Sequence, residues 1–156
     1  GTTQRASFTL VRPQRGPFNP IPAFVCEHLN HDTVWAERFL SHANGTIGIK
    51  AVQIMMSHDQ NLGSGYEALI TGAFSEGASG PVGADIEFYT AESWSRIYGE
   101  AEATEAVVYR VSDLSLTGQF LQDSGLNYRT ATHGSRGYIV NPADACGVYM
   151  VFTDGN

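Results

Sequence analysis

Apolar and polar residues alternate with a period of two along much of this chain, in short runs broken by turn residues. Strict alternation of this kind predicts half-buried β-strands. The clearest case is Ala84 to Tyr89, where Ile86 and Phe88 oppose Asp85, Glu87 and Tyr89. That register places the apolar pair in the core and the carboxylates on the solvent side. Ala6 to Val11, Ala106 to Val111, Leu126 to Thr132, Gly137 to Val140 and Gly147 to Thr153 read the same way. So does Asp113 to Phe120, with Leu114 and Leu116 opposite Ser115 and Thr117. The run IGIKAVQIMM within Thr46 to Met56 is apolar at both parities. It predicts a central strand covered on both faces.

Turn signals separate these runs. Asn44-Gly45 tolerates positive φ at both residues and predicts a tight hairpin joining Ala36–His42 to Thr46–Met56. Asp123-Ser124-Gly125, His133-Gly134-Ser135 and Asn141-Pro142 are further turns. The glycines and proline of residues 75–85 mark a loop, after a strand candidate at Tyr66–Phe74. One helix is expected, at Ala91–Tyr98. Thr90 caps it, Trp94, Ile97 and Tyr98 share a face, and Gly99 ends it.

The pattern therefore predicts an all-β domain. The architecture is a β-sandwich of jelly-roll type, with a closed barrel as the alternative. The N-terminal segment differs. Residues 13–22 hold four of the six prolines, which removes donors and fixes φ. An extended arm over residues 1–22, followed by a single β domain over 23–156, is the expected organisation. Phe8, Leu10, Pro17, Phe18, Pro20 and Pro22 are the residues by which such an arm would lie on a neighbouring copy.

Composition narrows the function. The 156 residues are 42% hydrophobic and 16% charged, with a formal net charge of −7. Eight arginines, one lysine and no basic run argue against nucleic acid. No apolar stretch is long enough for a membrane helix. Low charge, β-richness and a stiff arm point to a non-enzymatic structural subunit: a shell, decoration, tail or adhesin component of a virion or cell surface, working as a homo-oligomer. An extracellular or surface location fits this better than the cytoplasm.

Two alternatives belong to other classes. A carbohydrate- or small-ligand-binding β domain would use Trp94, Tyr89 and Tyr98 for stacking, with Asp85 and Glu87 as polar partners. A small β-barrel enzyme would enclose a His or a carboxylate in a pocket. No G-x-S-x-G elbow or H-E-x-x-H motif marks the chain as a hydrolase. Gly63-Ser64-Gly65-Tyr66-Glu67-Ala68 matches a dinucleotide fingerprint by letter, without its strand–helix context. No cofactor is expected. Cys26, His28 and His31 form the one cluster with metal-ligand chemistry, but a structural zinc site needs four ligands. Cys26 and Cys146 either close one disulfide or stay free thiols.

Overall fold

A computed structural model of the chain describes residues 5–12, 24–56, 84–100, 102–131 and 136–155. The chain falls into two compact units: residues 1–40 with 60–80, and residues 41–59 with 81–156.

In the first unit, β1 (Phe8–Val11) pairs antiparallel with β2 (Val25–His28). Phe8 lies opposite His28 and Leu10 opposite Cys26. The Leu29 N–H extends the ladder by donating to the Ser7 carbonyl at 3.0 Å. The donors on the facing edges of β1 and β2 are thus met within the chain itself. A short helix, α1 (His31–Val34), and a 3₁₀ turn at Glu37–Phe39 follow. The expected strand over Ala36–His42 does not form.

In the second unit, β3 (Thr46–Met55), β4 (Asp85–Tyr89), β5 (Glu105–Val111), β6 (Tyr128–Thr130), β7 (Gly137–Val140) and β8 (Tyr149–Thr153) make one sheet, in the order β4-β3-β5-β8-β7-β6. β3–β4 and β5–β8 are parallel, and the other three pairings are antiparallel. β3 is central, flanked by β4 and β5; register shifts at Thr46/Gly48 and Ile49/Ala51 bend its first half, where Ile47 and Ile49 are exposed, so the expected cover on both faces is not met there. The Asn44-Gly45 turn exists, with Gly45 at φ +75°, but no strand precedes it. It docks instead on the end of β5, where the Ser112 N–H donates to the Gly45 carbonyl at 2.9 Å.

Two helices cover opposite faces of the sheet. Helix α2 (Ala91–Tyr98) has the expected bounds. Thr90 Oγ1 accepts the Ser93 N–H, and Gly99 at φ +85° ends the helix. Trp94 and Tyr98 pack on Ala106 of β5, Ile139 of β7 and Tyr149 of β8. Helix α3 (Leu114–Asp123) packs Leu121 on Val111, Val140 and Phe152, which point the other way from the same strands.

The all-β expectation, sandwich or barrel, is therefore wrong. The unit is a mixed sheet with helices on both faces, an α+β arrangement. The decisive segment is residues 114–123. A two-residue alternation over Leu114 to Thr117 mimics a strand, but Leu114, Thr117, Gly118 and Leu121 recur at i, i+3, i+4 and i+7. Asp113 caps that helix, accepting the Ser115 N–H at 2.8 Å, and Gly125 at φ +67° lies just past its end. No helix among the described residues is long and apolar enough to cross a membrane.

Candidate functional site

Helix α2 covers only part of its face of the sheet. Beside it a cavity of about 490 Å³ opens, lined by residues of β3, β4, α2, β5, β7 and β8. Its volume falls within the usual range for small-molecule sites. The floor is apolar, with Ala51, Val108, Ile139 and Val151. The wall at the β4 edge is polar.

That wall is one hydrogen-bonded set. Parallel pairing puts Gln53 of β3 opposite Glu87 of β4. Gln53 Nε2 donates to Glu87 Oε2 at 2.7 Å and approaches Tyr89 Oη at 3.2 Å. The Tyr89 hydroxyl donates to the same carboxylate oxygen at 2.8 Å. From the helix, the Tyr98 hydroxyl donates to Gln53 Oε1. Gln53 is thus held at both ends of its amide, and Glu87 receives two donors aimed at one oxygen. Further out, Arg129 Nη2 donates to the Ile97 and Tyr98 carbonyls at 3.2 and 3.0 Å. A guanidinium there satisfies the end of α2 and complements its dipole.

The aromatic packing behind the wall fixes these tips. Tyr98 stacks on Tyr149 at 4.4 Å between ring centroids, and Trp94 lies 4.4 Å from Tyr98. The Trp94 indole N–H donates to the Ala103 carbonyl at 3.1 Å. Burial, followed by the hydrogen bond and charge of Glu87, pushes the Tyr89 pKa up to about 12. Burial raises Tyr98 still more, aided by Tyr89, Glu87 and Tyr149 and opposed by Arg129. Both phenols therefore stay protonated donors at neutral pH.

Of the residues expected to bind a ligand, Glu87, Tyr89 and Tyr98 meet in this cavity. Trp94 does not reach it; its side chain is fully buried beneath α2. Asp85 is exposed and is not among the lining residues. The strand face carrying Glu87, read above as the solvent side, is the face that α2 partly covers. Gln53, Lys50 and Arg136 also line the cavity and were not anticipated. Lys50 and Gln53 are the polar interruptions of the apolar run on β3, and that interruption is the signal in the sequence.

The other expected sites lie elsewhere. His28 Nδ1 accepts the Trp35 indole N–H at 3.1 Å, and its ring packs against Phe8. No group of three or more His, Cys, Asp or Glu placed to hold a metal ion occurs among the described residues. Cys26 and Cys146 are both exposed free thiols. Pro17, Phe18, Pro20, Pro22 and the Gly63–Ala68 motif lie outside the described residues.

No family model matches the chain, and no curated protein matches it. Among solved structures it is similar to methylmalonyl-CoA epimerase from Mycobacterium tuberculosis, at 19% identity and a TM-score of 0.49, over 74% of this chain and 93% of that one. The expectations of a virion or surface structural subunit and of a carbohydrate-binding sandwich both rested on an all-β fold, and both fall with it.

Proposed function

We propose that the chain is an enzyme domain whose α2-side cavity binds a small organic molecule, with Glu87 as the group that takes and returns a proton. One observation carries this reading. Glu87 is a carboxylate on a cavity wall, oriented by the Tyr89 hydroxyl and the Gln53 amide, above an apolar floor. General acid–base catalysis needs a positioned titratable group within reach of a bound substrate.

The described lining offers few other routes. No His or Cys is among it, and Glu87 is its one carboxylate. A two-carboxylate glycosidase mechanism has no second partner there. Ser93 lines the cavity, but its backbone and hydroxyl are tied to the Thr90 cap. Tyr89 and Tyr98, kept protonated, can hold Glu87 and Gln53 in place through a catalytic cycle without ionising themselves.

The test is a screen of small organic acids, aldehydes and ketones by ligand-observed NMR in D₂O. Bound compounds are then followed for solvent deuterium entering carbon positions. The expected result is binding that perturbs amides of β3, β4 and α2, with deuterium uptake that Glu87→Gln abolishes while binding persists. Uptake that continues unchanged in Glu87→Gln, or ligands that map away from these elements, would overturn the reading.

A further inference from the structure

The proposed function leaves the chemical class of the ligand open, and the charge on the lining speaks to it. This is an acidic chain with nine Lys and Arg against sixteen Asp and Glu. Around the cavity the balance reverses: Lys50, Arg96 and Arg136 stand against Glu87 alone. Arg96 is already engaged, in an ion pair with Glu92 one turn earlier on α2. Lys50 and Arg136 make no ion pair among the described residues.

Both belong to one end of the sheet, Lys50 on β3 and Arg136 just before β7, with β5 and β8 between them. Lys50 precedes Gln53 on β3 by three residues, roughly 10 Å at strand rise. Arg136 immediately precedes Gly137, whose partner on β8 is Thr153. Thr153 is also opposite Arg110 of β5, the same end of the sheet. The Thr153 side chain lines the cavity and is 3% exposed. Its hydroxyl accepts the Gly155 N–H, so its own proton is left to donate. The backbone fixes where Arg136 starts. A Cβ at Gly137 would lie 2.0 Å from the Phe152 carbonyl oxygen, so β7 lies against β8 at this point as only glycine allows.

We infer that the ligand is a small organic anion, its charged group held by Lys50, Arg136 and the Thr153 hydroxyl, with its uncharged remainder lying over the apolar floor toward Glu87. This rests on the proposed function for the role of Glu87 alone. Like charges set the orientation. An anionic group beside Glu87 is repelled, while the same group at the other end meets two cations and a neutral donor. The fork of Arg136 suits a carboxylate and a phosphate monoester equally.

Three probes on the intact chain test it: succinate, glycerol 3-phosphate and the neutral diamide succinamide, each titrated by NMR at low and high salt. At least one of the two anions is expected to bind, shifting the amides of Lys50, Arg136 and Thr153 and weakening as salt rises. In Lys50→Ala/Arg136→Ala the affinity is expected to fall about tenfold or more, since each charged hydrogen bond lost is of that order. Which anion binds distinguishes carboxylate from phosphate. Lys50→Arg is the conservative variant and should retain binding. Failure of both anions to shift these amides, equal binding by succinamide, or undiminished affinity in the double variant would overturn the inference. Glu87→Gln separates the two readings. If anions bind wild type and this variant at the Lys50–Arg136 end, but Glu87 proves dispensable for proton exchange, the anion site stands and the catalytic reading falls. If only neutral compounds bind and their exchange needs Glu87, the reverse holds.

Discussion

The two faces of the six-stranded sheet are built from the same strands and do different things. On the α3 face, Leu121 meets Val111, Val140 and Phe152, and the rings of Phe120, Tyr109, Tyr128 and Tyr138 pack around them only partly buried. On the α2 face, Trp94, Tyr98 and Tyr149 do the packing. Leu121, Val111 and Val140, fully buried there, end in methyl groups and can only finish a core. A tyrosine ends in a hydroxyl and must put it somewhere. Tyr98 puts its hydroxyl on Gln53, and Gln53 passes the constraint to Glu87. The rigid ring supplies burial at one end and a fixed donor at the other. The α2 face can therefore be a core along one stretch and a polar cavity wall along the next.

Truncating each helix's main anchor is the strongest way to break this contrast. Trp94→Ala is expected to cost about 3–5 kcal/mol and Leu121→Ala about 2–5 kcal/mol, by urea denaturation. The stability losses overlap, but the site effects do not. Trp94 supports Tyr98 and Tyr89 directly, with ring centroids 4.4 and 6.1 Å away, so its loss should also abolish ligand-induced shifts at Gln53 and Glu87. A Leu121→Ala protein, where folded, should bind as wild type. Equal damage to binding from both would mean the two faces are not independent. Next in size is Gly137→Ala. Its new methyl meets the Phe152 carbonyl, so β7 and β8 must part, at about 1–3 kcal/mol by analogy with overpacking. Amide exchange at Ile139 and Val151, which are opposite one another across these strands, should accelerate.

Much of the pocket face was readable from local pattern, and much of the α3 face was not. Alternation over 85–89 and the Thr90 cap before Trp94, Ile97 and Tyr98 fixed β4 and α2. Glu87, Tyr89 and Tyr98 were nameable because they lie close together on those two elements. Lys50 and Gln53 showed locally only as polar interruptions of the β3 run; that they and Arg136 join the site depends on sheet pairing and on the β7–β8 edge, which no local pattern encodes. Helix α3 failed for a different reason. Its buried stripe includes Thr117 and Gly118, which do not register as apolar, so the period of 3.6 was diluted and a four-residue alternation outweighed it. Trp94 illustrates the converse error. An aromatic beside a strand end looked like a ligand platform, but burial under α2 makes it the support of the site, not its surface.

Thr117 sharpens the contrast from the α3 side, at lower cost. Its side chain is fully buried, and its hydroxyl bridges the Asn44 carbonyl at 2.8 Å and the Asp113 carbonyl at 3.0 Å. This buried polar tie pins the Asn44-Gly45 turn to the helix start. Thr117→Val keeps the volume and deletes the donor. The expected loss is about 1 kcal/mol, the usual net worth of one such bond. Exchange of the Gly45 and Ser112 amides should quicken, while ligand-induced shifts across the sheet stay as they are.

The smallest effect tests the wall itself. Tyr89 titrates near 10 when unfolded and near 12 when folded, held up first by burial and then by Glu87. Between those values the folded chain keeps a proton that the unfolded chain has lost. Its contribution to stability is therefore complete below pH 10 and disappears as pH rises toward 12. The raised pKa of Tyr98 acts in the same direction. Tyr89→Phe removes one of the two titrations, so the urea midpoint of the variant should decline less steeply over pH 10–12 than that of wild type. Below pH 10 the two curves should run parallel, offset by the lost hydrogen bond to Glu87. Identical slopes would mean that Tyr89 is not held against Glu87 in solution, and the pocket face would then carry an unanchored carboxylate instead of a positioned base.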